Sequence, residues 1–296
     1  MPKLNKVTQP TNRWCNYAYS PLDFNSRSDR AKPTVALHPG WAVSPKMHAP
    51  LLDELADAGF FPVALNTKYG YANQPESRGY YLGANIGRLF TQSYRVGAEN
   101  IHFPAADSRG ENRYRLRRPT GVVSILQSLG IDIASLVGFS DGGRIMTTVA
   151  AESASILVPH LLVVNAAGTG TSEGGLERMA RSARQTARDG SHLTSLTARM
   201  RKTAESVTYT TLHGRRFNEE RRVIQSTDLW PALGAVSTTS TEVTVLHARE
   251  DQLVDYASSA KVARDYPGVD FVPTDGGHGN FYSPNIRAQI VSLLSP

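Results

Sequence analysis

Short apolar runs alternate with amphipathic stretches along most of this chain. Thr34 to Leu37 reads as a buried strand. From Met47 to Ala58 the residues Leu51, Leu52 and Leu55 recur at helical spacing, and Gly59 stops the run as a C-terminal cap. The pattern then predicts a strand over Phe60 to Leu65 and a helix over Thr120 to Leu129, again stopped by glycine, Gly130. It predicts a strand over Ala134 to Phe139, a helix over Gly143 to Ala154 and a strand over Leu161 to Val164. A strand over Val243 to Leu246, a helix over Tyr256 to Asp265, a strand over Val269 to Val272 and a helix over Ile286 to Leu294 complete the series. Antiparallel strands are expected before it, around Trp14 to Tyr19.

Strands that alternate with helices build parallel β-α-β units. The expected fold is therefore α/β: a mostly parallel, doubly wound sheet with helices on both faces. Two stretches break the alternation. Residues 67–118 are rich in Gly, Asn, Tyr and Arg and read as loops with short helices. Residues 168–235 are helix-prone and basic, with eleven Lys and Arg against seven Asp and Glu, a difference of +4. Both strands that flank this second stretch present their carboxyl ends to one crevice, so an insertion between them rises above it. The expected division is a core of residues 1–167 and 236–296 with a helical cap, or lid, of residues 168–235.

Composition narrows the class. The chain has 296 residues, 40% hydrophobic and 20% charged, which suits a soluble globular protein with a sizeable core. No stretch approaches the roughly 18 apolar residues of a membrane span. Met1 to Cys15 lacks the apolar run of a signal peptide, so cytoplasm is the expected location. The single cysteine, Cys15, excludes an intrachain disulfide and a multi-cysteine zinc cage. The net charge of +6 favours acidic partners in general. The arginines are spread over several segments without a helix-turn-helix, RRM or zinc-finger pattern, so no nucleic-acid partner is expected.

The chemistry begins at Gly138-Phe139-Ser140-Asp141-Gly142, which matches G-x-S-x-G. A serine nucleophile on a sharp strand-to-helix turn needs small residues two positions to either side. Here an apolar strand precedes and an apolar helix follows. No Gly-Lys-Ser/Thr follows, and G-x-G-x-x-G is absent, so phosphate-loop and dinucleotide readings fail. A serine hydroxyl needs a base to remove its proton. Of the eight histidines, His278 stands between glycines in Gly276-Gly277-His278-Gly279, after the last strand and before the last helix. His247 ends a strand and reads as a packing residue near the site. A carboxylate must orient the base, and Asp251, in the loop after Val243 to Leu246, is the candidate. Glu250 and Asp275 are its rivals in sequence. Position 165, after another strand, is Asn165 and carries no charge.

On these residues the chain, from about 34 to 294, resembles the α/β-hydrolase superfamily, whose order of Ser, Asp and His it repeats. Gly-Phe-Ser-Asp-Gly-Gly and the tail from Val243 to Asn280 are similar to small esterases and to the carbon–carbon hydrolase and valacyclovir-hydrolase-like branch. His38-Pro39-Gly40-Trp41 stands where that superfamily carries its His-Gly segment. The resemblance implies an oxyanion hole made by the N–H of Asp141 and one from this segment. Pro39 has no N–H, which leaves Gly40 or Trp41.

The expected function is hydrolysis of a carboxylic ester or related acyl compound through an acyl-enzyme on Ser140, with no cofactor and no metal. C–C or lactone cleavage by the same residues is one alternative, and a small-ligand receptor is another. The expected partner is a small molecule, and the basic insertion suits an acidic one. Phe139, Met179, Met200 and Trp230 are the expected substrate-binding residues, the last three from the cap.

Overall fold

The computed structural model describes residues 4–11, 14–40, 43, 45–66, 111–170, 224 and 226–295. The strands are β1 (Asn5–Thr11), β2 (Trp14–Ser20), β3 (Thr34–His38), β4 (Phe61–Asn66), β5 (Ser135–Phe139), β6 (His160–Val164), β7 (Glu242–Ala248) and β8 (Val269–Thr274). The helices are α1 (Arg27–Arg30), α2 (Ala49–Asp57), α3 (Glu111–Ser128), α4 (Asp141–Glu152), α5 (Trp230–Ser237), α6 (Tyr256–Ala263) and α7 (Pro284–Leu294). Among the described residues the strands form one sheet in the order β1-β2-β4-β3-β5-β6-β7-β8. β1 pairs antiparallel with β2, and β2 with β4; the other neighbours are parallel.

Strand alternation explains how nearly continuous apolar runs serve two faces. Ala36, Leu136, Leu161, Val163 and Val245 face one core, built on α3, α4 and α5. Leu37, Val137, Leu162, Val164 and Leu246 face the other, built on α2 and α7. Val122, Ile125, Ile145 and Leu233 close the first core, and Leu52, Leu55 and Ile290 the second, each fully buried. Burying one such side chain contributes about 1.5–3 kcal/mol relative to exposure.

Three elements differ from the sequence pattern. The helix expected from Thr120 begins at Glu111 and runs through Pro119. Proline is tolerated there at the expense of one backbone hydrogen bond. The helix expected from Gly143 begins at Asp141, because the turn at Ser140 leads straight into it. Trp230–Ser237 straddles the expected boundary at 235 between cap and core. Trp230, Leu233 and Val236 belong to the first core, so residues 230–235, which read as cap in sequence, are here core helix.

The winding places the loops. From β3 the chain goes outward to β4, then returns to the other side of β3 as β5. That reversal makes the C-terminal ends of β3 and β5 a switch point, where open α/β sheets form a crevice. Close packing under it depends on glycine. A Cβ on Gly138 would lie 2.5 Å from Gly142 O and from Gly143 Cα, both backbone atoms. Gly138→Ala is expected to lower stability by about 1–3 kcal/mol through overpacking. Urea unfolding checks this, and an unchanged midpoint would mean that the strand and helix separate without cost.

Candidate active site

Ser140 follows β5 directly and has φ 52 and ψ −120. A non-glycine residue with positive φ outside a turn-forming type is strained, by about 1–3 kcal/mol. The surroundings fix it. Ser140 N–H donates to Val164 O at 2.9 Å, and Ser140 O accepts from Gly143 N at 3.0 Å and Ala167 N at 3.2 Å. The loop after β3 closes the other side: a Cβ on Gly40 would lie 3.1 Å from Ser140 Cβ. Asp141 is the first residue of α4, so its N–H is one that the helix leaves unused.

Two loops bring partners to the hydroxyl. His278 Nε2 lies 2.9 Å from Ser140 Oγ. His278 Nδ1 lies 2.8 Å from Asp251 Oδ2. A carboxylate only accepts, so Nδ1 carries a proton, and in the neutral ring Nε2 then offers its lone pair to the hydroxyl. Asp251 Oδ1 accepts from Leu253 N at 2.7 Å and Val254 N at 3.0 Å. Burial pushes the Asp251 carboxyl up, yet His278, the backbone N–H of Val254 and His247 together hold it below 3.8. His247, fully buried, donates through Nε2 to Val254 O at 3.1 Å, and burial lowers its pKa.

The Asp141 side chain turns inward. Arg118 Nη1 donates to its Oδ2 and Arg144 Nε to its Oδ1, each at 2.8 Å, and all three side chains are buried. Burial raises this carboxyl too, but Arg144 and Arg118 outweigh it and keep it ionised. The cluster ties α3 to the start of α4 and thus to Ser140. Removing one partner of a buried pair costs about 3–5 kcal/mol.

No family model and no curated protein matches the sequence. Solved structures do match. A membrane phospholipase A described as a bacterial virulence factor has a TM-score of 0.65 at 16% identity, over 98% of this chain and 86% of its own. A 2-hydroxy-6-oxo-6-phenylhexa-2,4-dienoate hydrolase from a Rhodococcus strain has a TM-score of 0.65 at 14% identity, over 98% of both chains. A serine hydrolase from Cycloclasticus zankles has a TM-score of 0.64 at 11% identity, over 99% of this chain and 97% of its own. The chain has the α/β-hydrolase fold.

Within this α/β-hydrolase fold, Ser140, Asp251 and His278 follow β5, β7 and β8, and the structure brings all three together. Glu250 and Asp275 are both exposed, and it is the buried Asp251 that meets His278 Nδ1. Gly40 lies against Ser140, whereas Trp41, Met179 and Met200 lie outside the described residues. Phe139 is fully buried and stacks on His48 at 4.6 Å, beneath the turn. Trp230 is 2% exposed, donates through Nε1 to Thr169 O and stacks on Tyr266. It is a core residue here rather than part of a pocket wall, because α5 packs on the sheet. Among the described residues no helix is long and apolar enough to cross a membrane.

Sequence reasoning passed over two groups. Arg118 ends the stretch 67–118 that reads as loops, and the i,i+3 spacing of Asp141 and Arg144 was the one available signal. Asn165 was noted only for lacking charge. It is fully buried with φ 48, a backbone region in which asparagine is enriched.

His38 supplies a pH test. Burial, then Arg118, lowers its pKa from 6.5 to about 4, against the opposing bond to Pro39 O. Between those values the unfolded chain binds more proton than the folded one. The stability that neutral His38 contributes is therefore complete above pH 6.5 and is lost as pH falls toward about 4. The loss amounts to about 3 kcal/mol. His38→Gln is expected to flatten urea-unfolding stability across that window. An unchanged slope would show that another group carries the dependence.

Proposed function

We propose that this protein is a serine hydrolase that cleaves a carboxylic ester, or a related acyl compound, through an acyl-enzyme on Ser140. The observation that supports this reading is the unbroken line from Ser140 Oγ through His278 to Asp251, set on a strained strand-to-helix turn. A surface Ser–His contact has no need of a buried carboxylate held ionised behind it.

The steps follow from the protonation states. Ser140 Oγ attacks the carbonyl carbon as its proton passes to His278 Nε2. Asp251 stabilises the imidazolium and keeps the ring aligned. The carbonyl oxygen takes up negative charge and is met by backbone N–H groups, that of Asp141 and one from Gly40 or Trp41. Collapse breaks the C–O bond, and the alcohol leaves with the proton from Nε2. Water then attacks the acyl-enzyme, gives its proton to His278, and releases the acid; Ser140 recovers its hydrogen. Ester and water are consumed, and acid and alcohol are formed. The segment 168–235, apart from its core helix, takes the part of a substrate-selecting cap in this proposal. Small molecules are the partners, and acidic ones suit its charge.

A fluorophosphonate probe and a panel of p-nitrophenyl esters of rising chain length test the reading. Ser140→Ala is expected to abolish labelling and to lower kcat on the acetate ester by roughly four to six orders of magnitude, as is His278→Ala. A Ser140→Ala variant that still labels or turns over would sink the assignment, and an unlabelled wild type would favour a receptor.

Asp251→Asn is expected to keep both backbone bonds through its amide oxygen while its NH2 group faces Nδ1. That favours the wrong tautomer and lowers kcat by about 10⁴-fold. Asp275→Asn is expected to be silent. The reverse pattern in steady-state kinetics would place the acid elsewhere.

A further inference from the structure

We propose that Asn165 is a positioning residue that fixes the loop carrying Asp251 against the loop carrying His278. The inference rests on the serine-hydrolase reading above.

Asn165 follows β6, the strand between β5 and β7, so it sits amid the loops that deliver all three groups. Its Oδ1 accepts from Ala248 N at 2.8 Å. Ala248 ends β7, three residues before Asp251. Its Nδ2 donates to His278 O at 2.9 Å and to Asn280 Oδ1 at 2.8 Å. Asn280 Nδ2 in turn donates to Thr274 Oγ1 at 2.8 Å and Asp275 O at 2.7 Å, which ties the His278 loop to the end of β8. One amide thus spans the two loops, with its acceptor on the acid side and both donors on the base side. The backbone of Asn165 is held as well, its N–H donating to Leu246 O at 2.9 Å.

The residue type follows from three demands at one position. The site needs one acceptor and two donors, which excludes a carboxylate and a hydroxyl. It needs tolerance of φ 48, which disfavours glutamine and branched residues. It needs full burial without charge. Asparagine meets all three. The Ser140, His278 and Asp251 line joins atoms from separate loops, and a misplacement of about 1 Å can cost roughly 100-fold in rate.

The test uses two variants. Asn165→Gly accepts the positive φ and deletes the amide. Asn165→Asp keeps the shape, but when ionised sets an oxygen against two acceptors. Both are compared with wild type by circular dichroism, by the downfield proton NMR resonance of His278 Nδ1–H, and by kinetics on p-nitrophenyl acetate. The expected result is a folded protein whose Nδ1–H signal broadens or is lost. Its kcat falls about 10- to 100-fold, while KM stays within about twofold, since ground-state binding is untouched. In an Asp251→Asn background the same substitution is expected to cost less than about threefold, because the geometry that it protects is already lost. An intact Nδ1–H signal in both variants would overturn the proposal, as would an undiminished loss of kcat in the Asp251→Asn background. If wild type neither labels nor turns over, the hydrolase reading fails, and the NMR comparison still decides whether Asn165 holds the two loops in place.

Discussion

The backbone at Ser140 is where this architecture is least free. A side chain held at φ 52 would relax if the strand before it and the helix after it could part. They cannot part cheaply, because each is committed to a core. Phe139 packs with His48 and Phe281, Ile145 and Met146 pack on the opposite face, and Gly138, Gly142 and Gly143 let the two elements meet backbone to backbone. The same closeness brings Gly142 against the carbonyls of His38 and Pro39, so the turn also fixes where the loop after β3 passes. Packing over some distance thus determines the direction of one hydroxyl.

Electrostatics then divides two buried aspartates into different tasks. Asp141 and Asp251 both suffer desolvation, and both remain ionised. Arginines neutralise the first, so its charge is spent on holding α3 and α4 together. The imidazole of His278 and two backbone N–H groups face the second, with no arginine among these partners. His38, close to both arginines, is kept uncharged by burial and by their field. Charge in this region is confined to a few atoms whose partners are fixed, which is the condition for electrostatic preorganisation.

The parts of the fold that were legible in sequence were those that local pattern dictates. Apolar runs located β3, β5, β6 and β7 to within two residues at each end, because each run must be buried on both faces. The turn at Ser140 was legible through glycine spacing, and the loop that brings His278 to it through its flanking glycines. Asn165 was not, because its value lies in Ala248 and His278, which adjoin it only after β6 and β7 pair and the last loop folds back. Arg118 was hidden because it ends the stretch 67–118 that reads as loops, and its pairing with Asp141 exists only in the fold. Trp230 read as a cap residue because nothing local distinguishes an apolar helix on a sheet from one over a crevice. Substrate identity is illegible for the same reason: it belongs to surfaces, not to spacing.

The order of strands also has a temporal side. Ser140 and His278 are 138 positions apart. At a translation rate of about 5–20 residues per second, the serine emerges roughly 7–28 seconds before the imidazole that faces it has been made. Through that interval Val164 and Ala167 become available to hold the turn, while Phe281, which packs on Phe139, is still unmade. A ribosome-bound chain would therefore present the serine without the imidazole that lies 2.9 Å from it in the complete fold. The contact between the two side chains would arise only once β8 has joined the edge of the sheet.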